Sequence, residues 1–281
     1  MKITLGQNAY GKNAVNLTRI IRHKEYNELK QISVNVALQG EFESAHTTGE
    51  NTSILPTDTM KNTVYALAKE RFTSSTEEYG MDLAHHFLTN NPQVYEVRIE
   101  ITEHLWNRLF FDGKQHPYAY ISSGIEKHTA QIIHTKKNTA VTSGIKDLLI
   151  LKTYDSAFEK YIVDKFTTLK ETDDRIMSTQ CEINWLYTTN KLDFISVFNK
   201  IRHVLLKTFA DHKSLSVQHT LYAMGESVLK EHNEIKEISF IMPNKHHILF
   251  NLEQFGIENN NEIFIATDEP YGYITGTITR E

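Results

Sequence analysis

The hydrophobic pattern of this chain switches between a period of two and a period of 3.6, and it does so twice in the same order. Ile32, Val34, Val36 and Leu38 alternate with Ser33, Asn35, Ala37 and Gln39, as an antiparallel strand with one buried face does. Tyr95, Val97, Ile99 and Ile101 alternate with Glu96, Arg98 and Glu100 in the same way. Strand character continues from Leu105 to Phe111, and Asp112-Gly113 predicts a tight hairpin returning through Tyr118 to His134. Between such strand pairs lie helical stretches. One is capped by Thr57 or Asp58 and runs toward Glu70; the next runs from Glu77 to Asn90 and stops at Asn91-Pro92. Phe194 to Asp211 puts Phe198, Ile201, Leu205 and Phe209 on one stripe, and Ser214 to His232 does the same with Leu221, Met224 and Val228. A weak repeat joins the halves, for Val94, Glu96, Val97 and Ile99 match Ile235, Glu237, Ile238 and Phe240 at one offset. The expected fold class is therefore α+β, with two tandem units, 1–136 and 137–281. Each would be an antiparallel sheet with helices on one face, and the edge strands would need partners from other subunits.

Composition narrows the functions open to such a chain. Its 281 residues can bury a core in one large domain or two smaller ones. A formal net charge of -5 argues against a nucleic-acid partner, which calls for a basic face. No apolar run is long enough for a membrane-spanning helix, and the first ten residues lack the layout of a secretory signal. The single cysteine, Cys181, allows no internal disulfide framework and suits a reducing compartment. The C-terminal Ile278-Thr279-Arg280-Glu281 is not a Ser-Lys-Leu type of peroxisomal address, so a cytoplasmic location is expected.

Five short motifs carry the chemistry: Tyr10-Gly11-Lys12, Thr57 through Thr63, Asp174-Arg175-Ile176, Ser216-Val217-Gln218 and Pro243-Asn244-Lys245-His246. They supply a lysine, a threonine and a histidine able to pass a proton. They also supply an arginine and a glutamine able to grip the polar edge of a flat heterocycle. Phe158 offers a stacking face. Each residue has a plainer reading when taken alone. Lys12 could be a surface lysine and Thr57 with Asp58 a helix cap. Arg175 could be ion-paired to its flanking aspartates, Gln218 solvated, Phe158 packed, and His246 one of two strand histidines. The 14 histidines include no His-Glu-x-x-His run, and no Gly-rich phosphate loop or dinucleotide fingerprint is present, so neither a metal nor a flavin or nicotinamide is expected.

In this order across the whole chain the motifs resemble the urate oxidase (uricase) family. Matching blocks include Asp112-Gly113 with His116-Pro117, Leu169-Lys170-Glu171-Thr172, Leu206 through Ala210, and Glu269-Pro270-Tyr271-Gly272; Asp173 departs, for many relatives carry an aromatic there. The resemblance implies two tandem tunnelling-fold (T-fold) units assembled into a tunnel-shaped barrel. It implies a homotetramer with active sites at subunit interfaces and cofactor-free oxidation of urate by O2 and water to 5-hydroxyisourate and hydrogen peroxide, in purine degradation. It makes Lys12, Thr57 and His246 the catalytic relay. Thr57, Asp58, Phe158, Arg175, Val217 and Gln218 become the substrate-binding set, and Asn244 becomes the amide that holds dioxygen and then water. A metal-dependent enzyme acting on a pterin or guanine nucleotide, and a purine-binding protein without activity, remain as alternative readings.

Overall fold

The computed structural model describes every residue, Met1–Glu281. The chain divides into two compact units, Met1–Gly144 with Leu186–Ile195, and Ile145–Trp185 with Ser196–Glu281. The first unit thus extends past residue 136 into the strand that follows.

The first unit runs β1 (Tyr10–Arg22), β2 (Asn27–Gly40), α1 (Glu43–Thr47), α2 (Thr57–Arg71), α3 (Thr76–Asn90), β3 (Val94–Phe111) and β4 (Lys114–Thr135), and takes the start of β5 (Thr139–Lys152). β1 to β4 form an antiparallel meander in chain order. The hairpin at Asp112-Gly113 has φ of 51° and 77° at its two residues, the positive pair that a twist-matched two-residue turn requires. Ile32, Val34, Val36 and Leu38 are buried as their alternation predicts, against Val97, Ile99 and Ile101. Tyr95 is different: it is 48% exposed, while its neighbour Val94 is buried. Gln39 pairs with Glu96 but Gly40 pairs with Val94, so Tyr95 is the extra residue of a bulge and turns outward.

Ser75 caps α3 with a reciprocal pair of bonds. Its hydroxyl accepts from the Glu78 amide at 3.1 Å and the Glu78 carboxylate accepts from the Ser75 amide at 3.3 Å. Ser75→Ala is expected to cost about 1 kcal/mol, read as a lowered denaturant midpoint at unchanged slope. α3 then lays Tyr79, Leu83 and Phe87 into the core. Gly80 lets it approach closely, since a Cβ there would lie 2.3 Å from Ile132 Cδ1. At roughly 1.5–3 kcal/mol per large buried side chain, this packing outweighs the cost of a glycine inside a helix. α2 corrects the expected cap: Pro56 occupies the N-cap position, no side chain caps there, and Thr57 is the first helical residue.

α3 also buries a charge. Glu77 accepts from His128 of β4 at 2.9 Å, from Thr76 at 3.2 Å and from the Ser143 hydroxyl of β5; the other imidazole nitrogen faces Glu103 of β3 at 3.4 Å. Burial alone would raise the Glu77 carboxyl, but the His128 imidazolium and these hydrogen bonds pull it down to about 2. Burial likewise opposes charge on His128, and the two glutamates overcome it, raising the imidazole to about 9.

The second unit holds the rest of β5, then most of β6 (Met177–Tyr187) and of α4 (Phe194–Asp211), and all of α5 (Val217–Glu231), β7 (Ile235–Lys245), β8 (His247–Leu249), β9 (Phe264–Ala266) and β10 (Gly272–Thr279). The order is β5-β6-β7-β10, with β8 and β9 as a separate small pair. The stripes of α4 and α5 expected from periodicity are buried. α5 lies on β7 and β10: a Cβ on Gly225 would meet Ile278 and Phe240, and one on Gly276 would meet Leu221. No helix is long and apolar enough to cross a membrane.

Candidate active site

One tyrosine gathers the site residues of the first unit. The Tyr10 hydroxyl donates to the Leu55 carbonyl at 3.2 Å and accepts from the Leu55 amide at 2.8 Å, clamping the entry to α2 onto the start of β1. Lys12 and Thr57 each lie two residues beyond an end of that clamp, and Lys12 is near enough for its charge to act on Asp58, the next residue after Thr57. Gly11, between Tyr10 and Lys12, is obligatory, since a Cβ would lie 1.8 Å from the Val36 carbonyl oxygen. Directly after Lys12 the register of β1 shifts; Ala14 has φ 55° and its amide donates to Asn35 Oδ1 at 2.8 Å. The Asp58 carboxyl is lowered by its hydrogen bond to Lys61 and that lysine's charge, and more weakly by the charge of Lys12. Its carboxylate is taken up by Lys61 at 2.5 Å and Asn62 at 3.1 Å, which leaves the Asp58 backbone amide as its free feature in the first turn of α2. Because Pro56 holds the cap position, the Thr57 hydroxyl is not consumed in capping.

In the second unit, backbone bonds tie three separate segments together. Phe158 exchanges both hydrogen bonds with Thr172, at 2.8 and 3.2 Å. Ser214 donates to Asp155 at 2.9 Å and accepts from Ala157 at 2.8 Å. The segments carrying Phe158, Arg175 and the entry to α5 therefore converge. Arg175 Cζ lies 5.2 Å over the Phe158 ring, and Tyr161 stacks on that ring at 5.0 Å and 15°. Arg175 is half-buried, pairs with neither flanking aspartate, and its Nε is buried with no partner. Burial pushes the guanidinium below its ordinary value, so this cation lacks a protein anion. Ser216 caps α5 by accepting from the His219 amide at 3.1 Å; Val217 is buried and Gln218 exposed in the first turn. The Val217 and Gln218 amides in that turn have no intrahelical acceptor and remain as donors. Asn244 sits on β7 opposite Gly272 of β10. It shares the face of Phe240, which lies under α5, but is four residues further along the strand, beyond Met242. His246 follows at the end of β7, its carbonyl accepting from the Thr267 amide at 2.9 Å. No three histidine, cysteine, aspartate or glutamate side chains gather as metal ligands would.

Lys12, Thr57 and Asp58 thus belong to the first unit, and Phe158, Arg175, Val217 and Gln218 to the second, with Asn244 on β7 and His246 directly after it. The uricase family model matches residues 8–133 and 141–275, leaving out the two ends and the turn between β4 and β5 with the strand residues that flank it. The chain belongs to the uricase family. It is 41% identical to the uricase of Arthrobacter globiformis over all of its own length and 91% of that protein. It is 37% identical to the uricase of Dictyostelium discoideum, covering 99% of this chain and 98% of that one. The crystal structure of the Arthrobacter globiformis uricase superposes with a TM-score of 0.95 at 41% identity, covering 100% of this chain and 96% of that chain. A uricase from Bacillus fastidious shares the fold at a TM-score of 0.82 and 22% identity, over 97% and 93% of the two chains.

Two features of this uricase leave no local signal in its sequence: Tyr161, whose irregular segment has no period to betray it, and the Tyr10 clamp, which joins residues 45 apart.

Proposed function

We propose that this uricase is a urate oxidase that needs no cofactor, converting urate, O2 and water to 5-hydroxyisourate and hydrogen peroxide. Two electrons pass from urate to oxygen, and water supplies the new hydroxyl at C5. The observation that carries the reading is the half-buried Arg175 guanidinium, lacking an anion and poised over Phe158 beside the open first turn of α5. A flat anion stacked on Phe158 would satisfy it, with Arg175 and Gln218 holding the polar rim and the Val217 main chain alongside. Lys12, Thr57 and His246 move the protons, and the Thr57 hydroxyl is available because Pro56 takes the cap. The Asp58 amide adds a donor, and the uncharged Asn244 holds oxygen and later water above the ring.

The two sets of residues belong to different units of the chain, 1–136 and 137–281, two copies of one T-fold unit. The assembly is a homotetramer in which Lys12 and Thr57 reach the pocket from a neighbouring subunit. Edge strands β1 and β10 are open to pairing, and the β3–β4 hairpin exposes Trp106, Phe110, Phe111, Tyr118, Ile121 and Ile125. The one cysteine, buried and unpaired, fits a reducing compartment such as the cytoplasm.

Loss of the near-ultraviolet absorbance of urate, with peroxide formed in equal amount and unaffected by a chelator, tests the activity. Lys12→Ala and Arg175→Ala should each be inactive alone, and activity should return when the two are co-expressed. Two inactive parents that stay inactive in mixture, or an active dilute monomer, would sink the interface arrangement.

A further inference from the structure

The two units correspond residue for residue across the helix and strand that frame the site, at a constant offset of 141 from Ser75 to Ser216. Both serines cap their helices through the same bond, to Glu78 and His219. Both helices end in the same turn: Val94 donates to Asn91 at 2.9 Å and Ile235 donates to His232 at 3.2 Å. Buried Val94, Val97, Ile99 and Ile101 are matched by buried Ile235, Ile238, Phe240 and Met242. Carried through, the offset sets Glu77 against Gln218 and Glu103 against Asn244. The next strand completes the frame, since Glu103 pairs with His128 and Asn244 pairs with Gly272. Paired residues of an antiparallel ladder share a face, so His128 and Gly272 occupy one equivalent place.

That place holds a side chain in the first unit and none in the second. The His128 imidazolium, flat and bearing N–H donors, lies between Glu77 and Glu103 at 2.9 and 3.4 Å. Gly272 puts nothing there, and no feature of the chain's own packing demands a glycine. Its φ is not positive, and a Cβ would meet only Ile274 Cδ1 at 3.4 Å and Asn244 Cβ at 3.5 Å, both ordinary contacts. Gly276 on the same strand differs, for a Cβ there would crowd Leu221 at 2.9 Å.

We infer that Gly272 is the residue that keeps the substrate position of the second unit open, and that the matching position of the first unit is closed by its own His128. The inference rests on reading Gln218 and Asn244 as substrate-binding. A flat heterocycle enters where the strand offers no side chain; where it offers His128, that ring takes the ligand's place.

Two full-length variants test it. Equilibrium binding of urate under nitrogen, where no oxidation follows, should weaken about ten-fold or more in Gly272→Leu at little change in melting temperature. Affinity equal to that of the unsubstituted protein would overturn the role of Gly272. Should the leucine variant fail to fold, Gly272→Ala decides: a loss of about three-fold supports the role and unchanged affinity overturns it. The reciprocal variant, His128→Gly, should gain a site for imidazolium. Its melting temperature should rise about 3 °C at a ten-fold excess over the dissociation constant, while sodium chloride at equal ionic strength has no such effect. If this variant is recovered only by refolding, imidazolium should raise the yield. Neither a shift nor a yield gain would overturn the filled first-unit site, whatever the urate result. A wild-type protein that does not bind urate would sink the urate reading itself, and the imidazolium measurement would still decide the first-unit half.

Discussion

Arg175→Ala is expected to lower kcat/KM for urate about a thousand-fold while leaving the melting temperature nearly unchanged. The guanidinium makes no ion pair, and its Nε has no protein partner, so the folded chain loses only a contact with the Phe158 ring. The bound anion loses a fork of two charge-assisted hydrogen bonds, worth ~4 kcal/mol together, which at 1.4 kcal/mol per decade gives the thousand-fold figure. Arg175→Lys keeps the charge but not the fork and should recover only a small part of the rate. Steady-state kinetics beside a thermal melt separate the outcomes: a variant that melts far lower, or one that keeps its kcat/KM, would contradict a guanidinium held for the substrate.

The second large effect is on stability and comes from the first unit. Glu77→Ala is expected to cost about 3–5 kcal/mol, roughly 10 °C in melting temperature, because it leaves the His128 imidazolium buried without its nearest counter-charge. A double replacement, Glu77→Gln with His128→Gln, removes both charges and should cost less than the single one. The pH dependence follows from the two shifts. Glu77 is lowered to about 2 from an ordinary 4.5, so its contribution is complete above 4.5 and is lost as pH falls through about 2. His128 is raised to about 9 from an ordinary 6.5, so its contribution is complete below 6.5 and is lost as pH rises through about 9. Both act fully between pH 4.5 and 6.5. The unsubstituted protein should therefore lose melting temperature between pH 6.5 and 9 more steeply than the double variant. Parallel curves across that range would remove the charged pair from the account.

Several of these features are legible in the sequence itself. Period-two and period-3.6 patterns placed β2, most of β3, and helices α2 to α5 to within a few residues, because each such element buries one face and the period of burial is written into the residues themselves. The Asp112-Gly113 turn was legible for a local reason too, the positive φ that the turn demands. Tyr95 shows where local reading stops. Its alternation with Val97 points inward, yet the bulge opposite Gly40 turns it out, and a bulge depends on the partner strand's register. The cap of α2 lies one or two residues before the expected Thr57 or Asp58, which are good capping types, because a proline that ends the preceding segment takes the position. In the site, residue types and their order along the chain identified the family and proposed the members. The hydrogen bonds that bring Phe158, Arg175 and α5 together join residues 14 to 59 positions apart through main-chain atoms, which carry no side-chain signature.

By itself, then, the sequence determined the periodic elements, their twofold order and the roll of candidate residues, since these rest on side-chain type and local spacing. Only the tertiary structure decided which of them meet: Tyr10 with Leu55, Phe158 with Thr172, Glu77 with His128, and Gly272 rather than a side chain opposite Asn244. Those pairings are fixed by sheet register and by helices docking on a shared core, and their energy depends on distances that no single stretch of residues contains.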